Sequence, residues 1–157
     1  MEKNLEDIVA KKLIDKGLTI GTAESCTGGL LAGTLINYGG ISSVFMEGVV
    51  TYSNEAKMKR IGVKKETLDR FGAVSEETAK EMAIGICKTA NTDVGISTTG
   101  IAGPEGGTKE KPVGLVYMGL CINGNVVCKK FNFNGDRNKV RLEAVKSALE
   151  FLLEYIK

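Results

Sequence analysis

Leu18-Thr19-Ile20-Gly21-Thr22-Ala23-Glu24-Ser25-Cys26-Thr27-Gly28-Gly29-Leu30-Leu31 sets the architecture of the chain. Leu18 to Ala23 is short and rich in β-formers, Glu24 to Gly29 supplies turn residues, and Leu30, Leu31, Leu35 and Ile36 follow at helical spacing. The order is strand, loop, helix. Upstream, Leu5, Ile8, Val9 and Leu13 share one helical face and Gly17 supplies the stop, so residues 4–16 read as an amphipathic helix.

The same alternation continues downstream. Val49 and Val50 mark a strand over Gly48 to Tyr52, and Ser53-Asn54 offers a cap to a helix from Glu55 to Ile61. Ser75 caps a longer helix with an apolar stripe of Ala79, Met82, Ala83, Ile86 and Ala90, and Asp93 to Thr99 reads as a buried strand. The glycine-rich run from Gly100 to Gly107 fits no regular element, so it reads as a long loop. Val113 to Ile122 and Asn125 to Phe133 flank Asn123-Gly124, a strong hairpin signal. Asp136 then caps a last helix carrying Leu142, Val145, Leu149, Leu152 and Ile156. The whole predicts one domain over residues 1–157: a three-layer α/β/α sandwich with a mixed, mainly parallel sheet ending in an antiparallel hairpin.

Composition narrows the function. The 157 residues are 43% hydrophobic and 25% charged, which excludes disorder and fibre. Lys and Arg total 21 against 19 acids, and a net charge of +2 makes no case for nucleic acid or an anionic membrane as partner. No apolar run reaches the ~18 residues of a membrane span. The start, Met1-Glu2-Lys3-Asn4-Leu5-Glu6-Asp7, reads as a charged helix and not as a signal peptide, so a cytoplasmic protein is expected.

With no histidine in the chain, Ser-His-Asp and Cys-His nucleophiles are excluded, as is any histidine-bound metal. Cys26, Cys87, Cys121 and Cys128 form no C-x-x-C pair, so neither a zinc cluster nor a redox motif is indicated. No metal and no cofactor is expected.

In sheets of this kind ligands gather where strand ends meet loops, which directs attention to three segments. Ser25, Thr27, Gly28 and Gly29 stand at a helix N-terminus, where free N–H groups and the dipole suit a phosphate; a hydroxyl cap with close-packed glycines reads equally well. Lys57 falls in the first turn of its helix, where the positive dipole end disfavours a charged amine. A neutral lysine beside a serine activates a hydroxyl nucleophile without histidine, and Tyr52 is placed to relay the proton; a solvated lysine is the bland alternative. Gly39-Gly40-Ile41-Ser42-Ser43 is a loop able to bring a serine toward Lys57, though turn chemistry also explains it. The loop holding Gly100 and Gly103 offers backbone amides to an anion or oxyanion, with Arg137 and Arg141 as charge partners.

Thr22-Ala23-Glu24-Ser25-Cys26-Thr27-Gly28-Gly29, Val50-Thr51-Tyr52-Ser53-Asn54-Glu55-Ala56-Lys57, Gly72-Ala73-Val74-Ser75, Thr99-Gly100-Ile101-Ala102-Gly103-Pro104 and Gly135-Asp136-Arg137 together resemble the CinA C-terminal domain family. The likeness spans nearly the whole chain. It implies a metal-independent amidohydrolase that converts nicotinamide mononucleotide (NMN) to nicotinic acid mononucleotide and ammonia, in pyridine nucleotide recycling. It also implies a serine–lysine pair helped by a tyrosine, with Lys57 and Tyr52 matching the latter two. The family serine, counted back three residues from Phe45, falls on Ser42, with Ser43 and Ser25 as competing nucleophiles. Substrate contacts are expected from Ser25, Thr27, Gly28, Gly29, Thr99, Gly100, Gly103, Arg137 and Arg141. The competing reading is a non-catalytic mononucleotide-binding or competence-associated interaction module. A homo-oligomer is expected.

Overall fold

Five strands form one sheet in the order β2-β1-β3-β4-β5 in a computed structural model that describes residues 3–157. Met1 and Glu2, expected at the charged start of the first helix, lie outside the described residues. The strands are β1 (Ile20–Glu24), β2 (Phe45–Val50), β3 (Val94–Gly100), β4 (Leu115–Ile122) and β5 (Asn125–Asn132). β1 pairs in parallel with both β2 and β3, while β3–β4 and β4–β5 are antiparallel. Parallel and antiparallel pairings are therefore equal in number, although only β4 runs against the other strands.

Helices α1 (Leu5–Lys16), α2 (Leu30–Leu35) and α6 (Arg137–Tyr155) cover one face, where α6 packs on α1, α2, β3 and β4. α3 (Asn54–Ile61), α4 (Lys65–Phe71) and α5 (Glu76–Ala90) lie on the other, with α5 across the middle of the sheet. The larger core, with Leu13, Ile20, Leu31, Ile96, Met118 and Phe151, fills the first interface. A smaller one of Ala23, Ile61, Val63, Leu68, Met82 and Ile86 fills the second. Each such side chain removed from water contributes ~1.5–3 kcal/mol before the cost of ordering it.

The caps read from sequence are in place. Ser53, Ser75 and Asp136 each accept a backbone N–H three residues on, from Ala56, Thr78 and Lys139. Two elements were not read from sequence: α4, and a short 3-10 turn over Ile41–Ser43. β2 also begins three residues earlier than expected, at Phe45.

α5 lies close on the sheet because β3 and β4 carry glycine beneath it. A Cβ on Gly95 would stand 2.4 Å from Ala83 O, and one on Gly119 would stand 2.2 Å from Ala79 O. Between them Ser97 Oγ donates to Ala79 O at 2.6 Å and accepts from Gly119 N at 3.1 Å. This contact anchors β3 just before Thr99 and Gly100, which line the pocket described next.

Candidate active site

β1 and β2 end level with each other, Glu24 opposite Val50, so Ser25 and Thr51 leave the sheet together at its carboxyl edge. Ser25 N donates to Thr98 O at 2.9 Å and Thr51 N donates to Glu24 O at 2.9 Å, which fixes both exits. α3 then folds back and carries Lys57 beneath them. The Lys57 Nζ lies 3.1 Å from Ser25 Oγ, 2.8 Å from Thr51 O and 3.3 Å from Tyr52 O.

Lys57 is only 1% exposed. Burial pulls its pKa from 10.5 down to about 8, opposed by a smaller raising effect from Cys26. Its three partners suit a neutral amine. Two carbonyls take the two N–H groups of the –NH2 form, which leaves its lone pair for the Ser25 hydroxyl. When charged, the same nitrogen donates to all three.

These groups open on a cavity of about 200 Å³, lined by Ser25, Cys26, Lys57, Val74, Thr99 and Gly100 among others, with Tyr52 and Arg137 also on its wall. Arg137 Nη1 donates to Gly103 O at 2.7 Å and Nη2 donates to the Tyr52 hydroxyl at 3.0 Å, joining the β3–β4 loop to the β2–α3 turn. Thr99 spends its hydroxyl on Ala73 O, at 2.7 Å. Burial pushes the Cys26 thiol up to about 12, which keeps it protonated near neutral pH.

Several sequence expectations need correction. Ser42 does not approach Lys57: it lies in the 3-10 turn ahead of β2, beyond the Ile20–Phe45 end of the β1–β2 pair. The six residues of β2 separate the two, roughly 20 Å at about 3.3 Å per residue. Ser43 shares that exposed turn and donates to Gly40 O at 2.9 Å. The serine at Lys57 is Ser25.

The phosphate seat expected over Ser25 to Gly29 is also occupied from within. Gly29 is the N-cap of α2, and neither Ser25 nor Thr27 caps it. The Glu24 carboxylate accepts from Leu31 N at 2.9 Å, from Ala32 N at 3.1 Å and from the Thr27 hydroxyl at 2.5 Å. An internal anion fills the helix terminus. Thr27 is fully buried and hydrogen-bonded to Thr98 as well, while Gly28 and Gly29 serve the turn through positive φ values of 59° and 98°. Arg141 turns inward too: Nε donates to Cys26 O and Nη2 donates to Thr27 O, both at 3.1 Å. Of the expected charge partners only Arg137 lines the cavity.

The profile of the CinA C-terminal domain family matches residues 2–156. A competence-damage inducible protein of Clostridium perfringens is 68% identical over 151 residues, 96% of this chain and 37% of that protein. A CinA-like protein of Kosmotoga olearia is 64% identical over 96% of this chain and 37% of its own. The chain thus spans a little over a third of the curated relatives it matches. The crystal structure of competence/damage inducible protein CihA from Agrobacterium tumefaciens superposes with a TM-score of 0.92 at 42% identity, covering 100% of this chain and 99% of that one. A CinA superfamily protein from Escherichia coli superposes at 0.94 with 40% identity, over 97% and 88%. Among the described residues no helix is long and apolar enough to cross a membrane.

Proposed function

The chain belongs to the CinA C-terminal domain family, and on that premise we propose that it hydrolyses the carboxamide of NMN to nicotinic acid mononucleotide and ammonia, with Ser25 as nucleophile. The observation that carries this reading is the buried Lys57 amine, held by two carbonyls with its remaining position on Ser25 Oγ.

Neutral Lys57 takes the Ser25 proton as Oγ attacks the carboxamide carbon. The carbonyl oxygen becomes an oxyanion. The amide of Cys26 follows directly in the chain, lines the cavity with its residue and is given to no backbone carbonyl among the described residues, so it serves as the donor. Charged Lys57 returns the proton to the leaving nitrogen, with the Tyr52 hydroxyl as a second donor on the pocket wall, and ammonia departs. Water, deprotonated by Lys57, then attacks the Ser25 ester and releases the acid. The cavity of about 200 Å³ accepts the pyridine ring and carboxamide, which leaves the ribose phosphate at the mouth beside Arg137.

The test is ammonia release from NMN by purified protein in chelator, beside folded Ser25→Ala and Ser42→Ala variants. Release by wild type and Ser42→Ala, but not by Ser25→Ala, is the expected result. A wild-type protein that binds NMN saturably without releasing ammonia is a mononucleotide-binding module instead; one that does not bind it refutes the substrate.

A further inference from the structure

Among the described residues, Arg141 is the one side chain of the far helical layer that hydrogen-bonds to the turn after Ser25. It sits one helical turn beyond Arg137 on α6, yet its guanidinium faces away from the pocket wall and forks onto two successive carbonyls, Cys26 O and Thr27 O. The preceding carbonyl, Ser25 O, accepts from Gly28 N at 3.1 Å. All three peptide planes after the nucleophile are therefore pinned through their oxygens.

In a trans peptide the N–H points opposite to its C=O, so pinning the oxygen aims the hydrogen. The carbonyl of Ser25 shares its peptide with Cys26 N–H, and Cys26 lines the cavity, so the Arg141 fork on the next two carbonyls holds the residue that carries this N–H. Gly28 keeps the space open: it holds φ at 59°, and a Cβ there would stand 3.1 Å from Arg141 Nη2. A lysine cannot reproduce the fork, since a single ammonium lacks its two parallel donors.

We propose that Arg141 is a positioning residue for the hydrolytic step, which fixes the turn after Ser25 through the Cys26 and Thr27 carbonyls so that the Cys26 N–H meets the oxyanion formed at Ser25. This inference rests on Ser25 as nucleophile but not on NMN as substrate.

The experiment follows two reactions of Arg141→Met, Arg141→Lys and wild type, each checked for a native thermal transition. One is steady-state ammonia release from NMN. The other is the p-nitrophenol burst from p-nitrophenyl acetate, in which Ser25 Oγ bonds to the acetyl carbon, p-nitrophenolate leaves and Lys57 takes the serine proton. Both variants should lose about 10- to 100-fold in kcat and in burst rate, with KM for NMN within about twofold and the pH dependence unshifted. A raised KM with unchanged kcat would make Arg141 a substrate contact and overturn the proposal, as would an unchanged burst rate. If wild type shows a burst but no ammonia release, the NMN assignment fails while the burst still decides the role of Arg141; wild type without a burst overturns both. Should Arg141→Met not fold, the same comparison is read from Arg141→Lys.

Discussion

Glu24 and Lys57 are both 1% exposed, both charged by type, and both packed against the turn that begins at Ser25, yet the fold treats them oppositely. Glu24 meets only donors: two amides at the start of α2 and the Thr27 hydroxyl. Lys57 meets only oxygen atoms, and these three partners complete its ammonium and its uncharged form alike, with burial lowering the cost of losing the proton. One group has partners for its carboxylate alone and holds the turn. The other has partners in both states, as a base must, and works on the residue between them. A buried ionisable group is thus structural or chemical according to whether its neighbours complete one of its protonation states or both.

The largest effects come from breaking the chemical member. Ser25→Ala and Lys57→Arg should each lower kcat for amide hydrolysis by roughly 10³-fold or more, because guanidinium does not give up its proton and alanine has none to give. Single-turnover ammonia release reads this directly. Breaking the structural member acts on folding instead: Glu24→Ala leaves the Leu31 and Ala32 amides without their acceptor and takes one of two partners from the Thr27 hydroxyl, an expected cost of about 3 kcal/mol in urea unfolding. If Glu24→Ala kept wild-type stability, the contrast between the two groups would be lost.

Next in size is the pH dependence. A base with a pKa of about 8 is neutral above that pH, so kcat/KM should be level in the alkaline range and fall about tenfold per pH unit below 8. A rate that rises as the pH is lowered would assign Lys57 the opposite role.

How far this contrast could be read from the chain differs by element. The strand–turn–helix at Leu18 to Ile36, the stripe of α5 and the Asn123-Gly124 hairpin carry periodicity and turn chemistry, which are local, and the structure has them. α4 was missed because its seven residues bury only Thr67 and Leu68, too little for a pattern. Ser42 was misplaced although the correction was legible: it stands ahead of the β2 strand, hence at the amino edge of a parallel pair, whereas Ser25 follows β1 at the carboxyl edge where such sheets gather ligands. The use of Glu24 to fill the α2 terminus was not legible, since a carboxylate seven residues before Leu31 reaches it only through the fold of the intervening turn.

The smallest expected effect is the most discriminating, because it separates stability from activity at one residue. Lowering the Lys57 pKa from 10.5 to about 8 means the folded state disfavours the ammonium by ~3 kcal/mol near pH 7. Between pH 8 and 10.5 the unfolded chain holds the proton that the folded chain has released, so this group makes wild-type stability rise with pH across that window. Lys57→Met removes the penalty but leaves Thr51 O and Tyr52 O without a donor, which costs back ~2 kcal/mol. The inactive variant should therefore be about 1 kcal/mol more stable than wild type at pH 7, a rise in Tm of roughly 2–4 °C. That advantage should shrink above pH 8 and reverse by pH 10.5, where the folded lysine is neutral and the unfolded one half so. Thermal melts of the two proteins at pH 7 and pH 10.5 test it, and a Lys57→Met variant less stable at both would mean that the lysine sits in the fold as a satisfied cation, with no lone pair for Ser25.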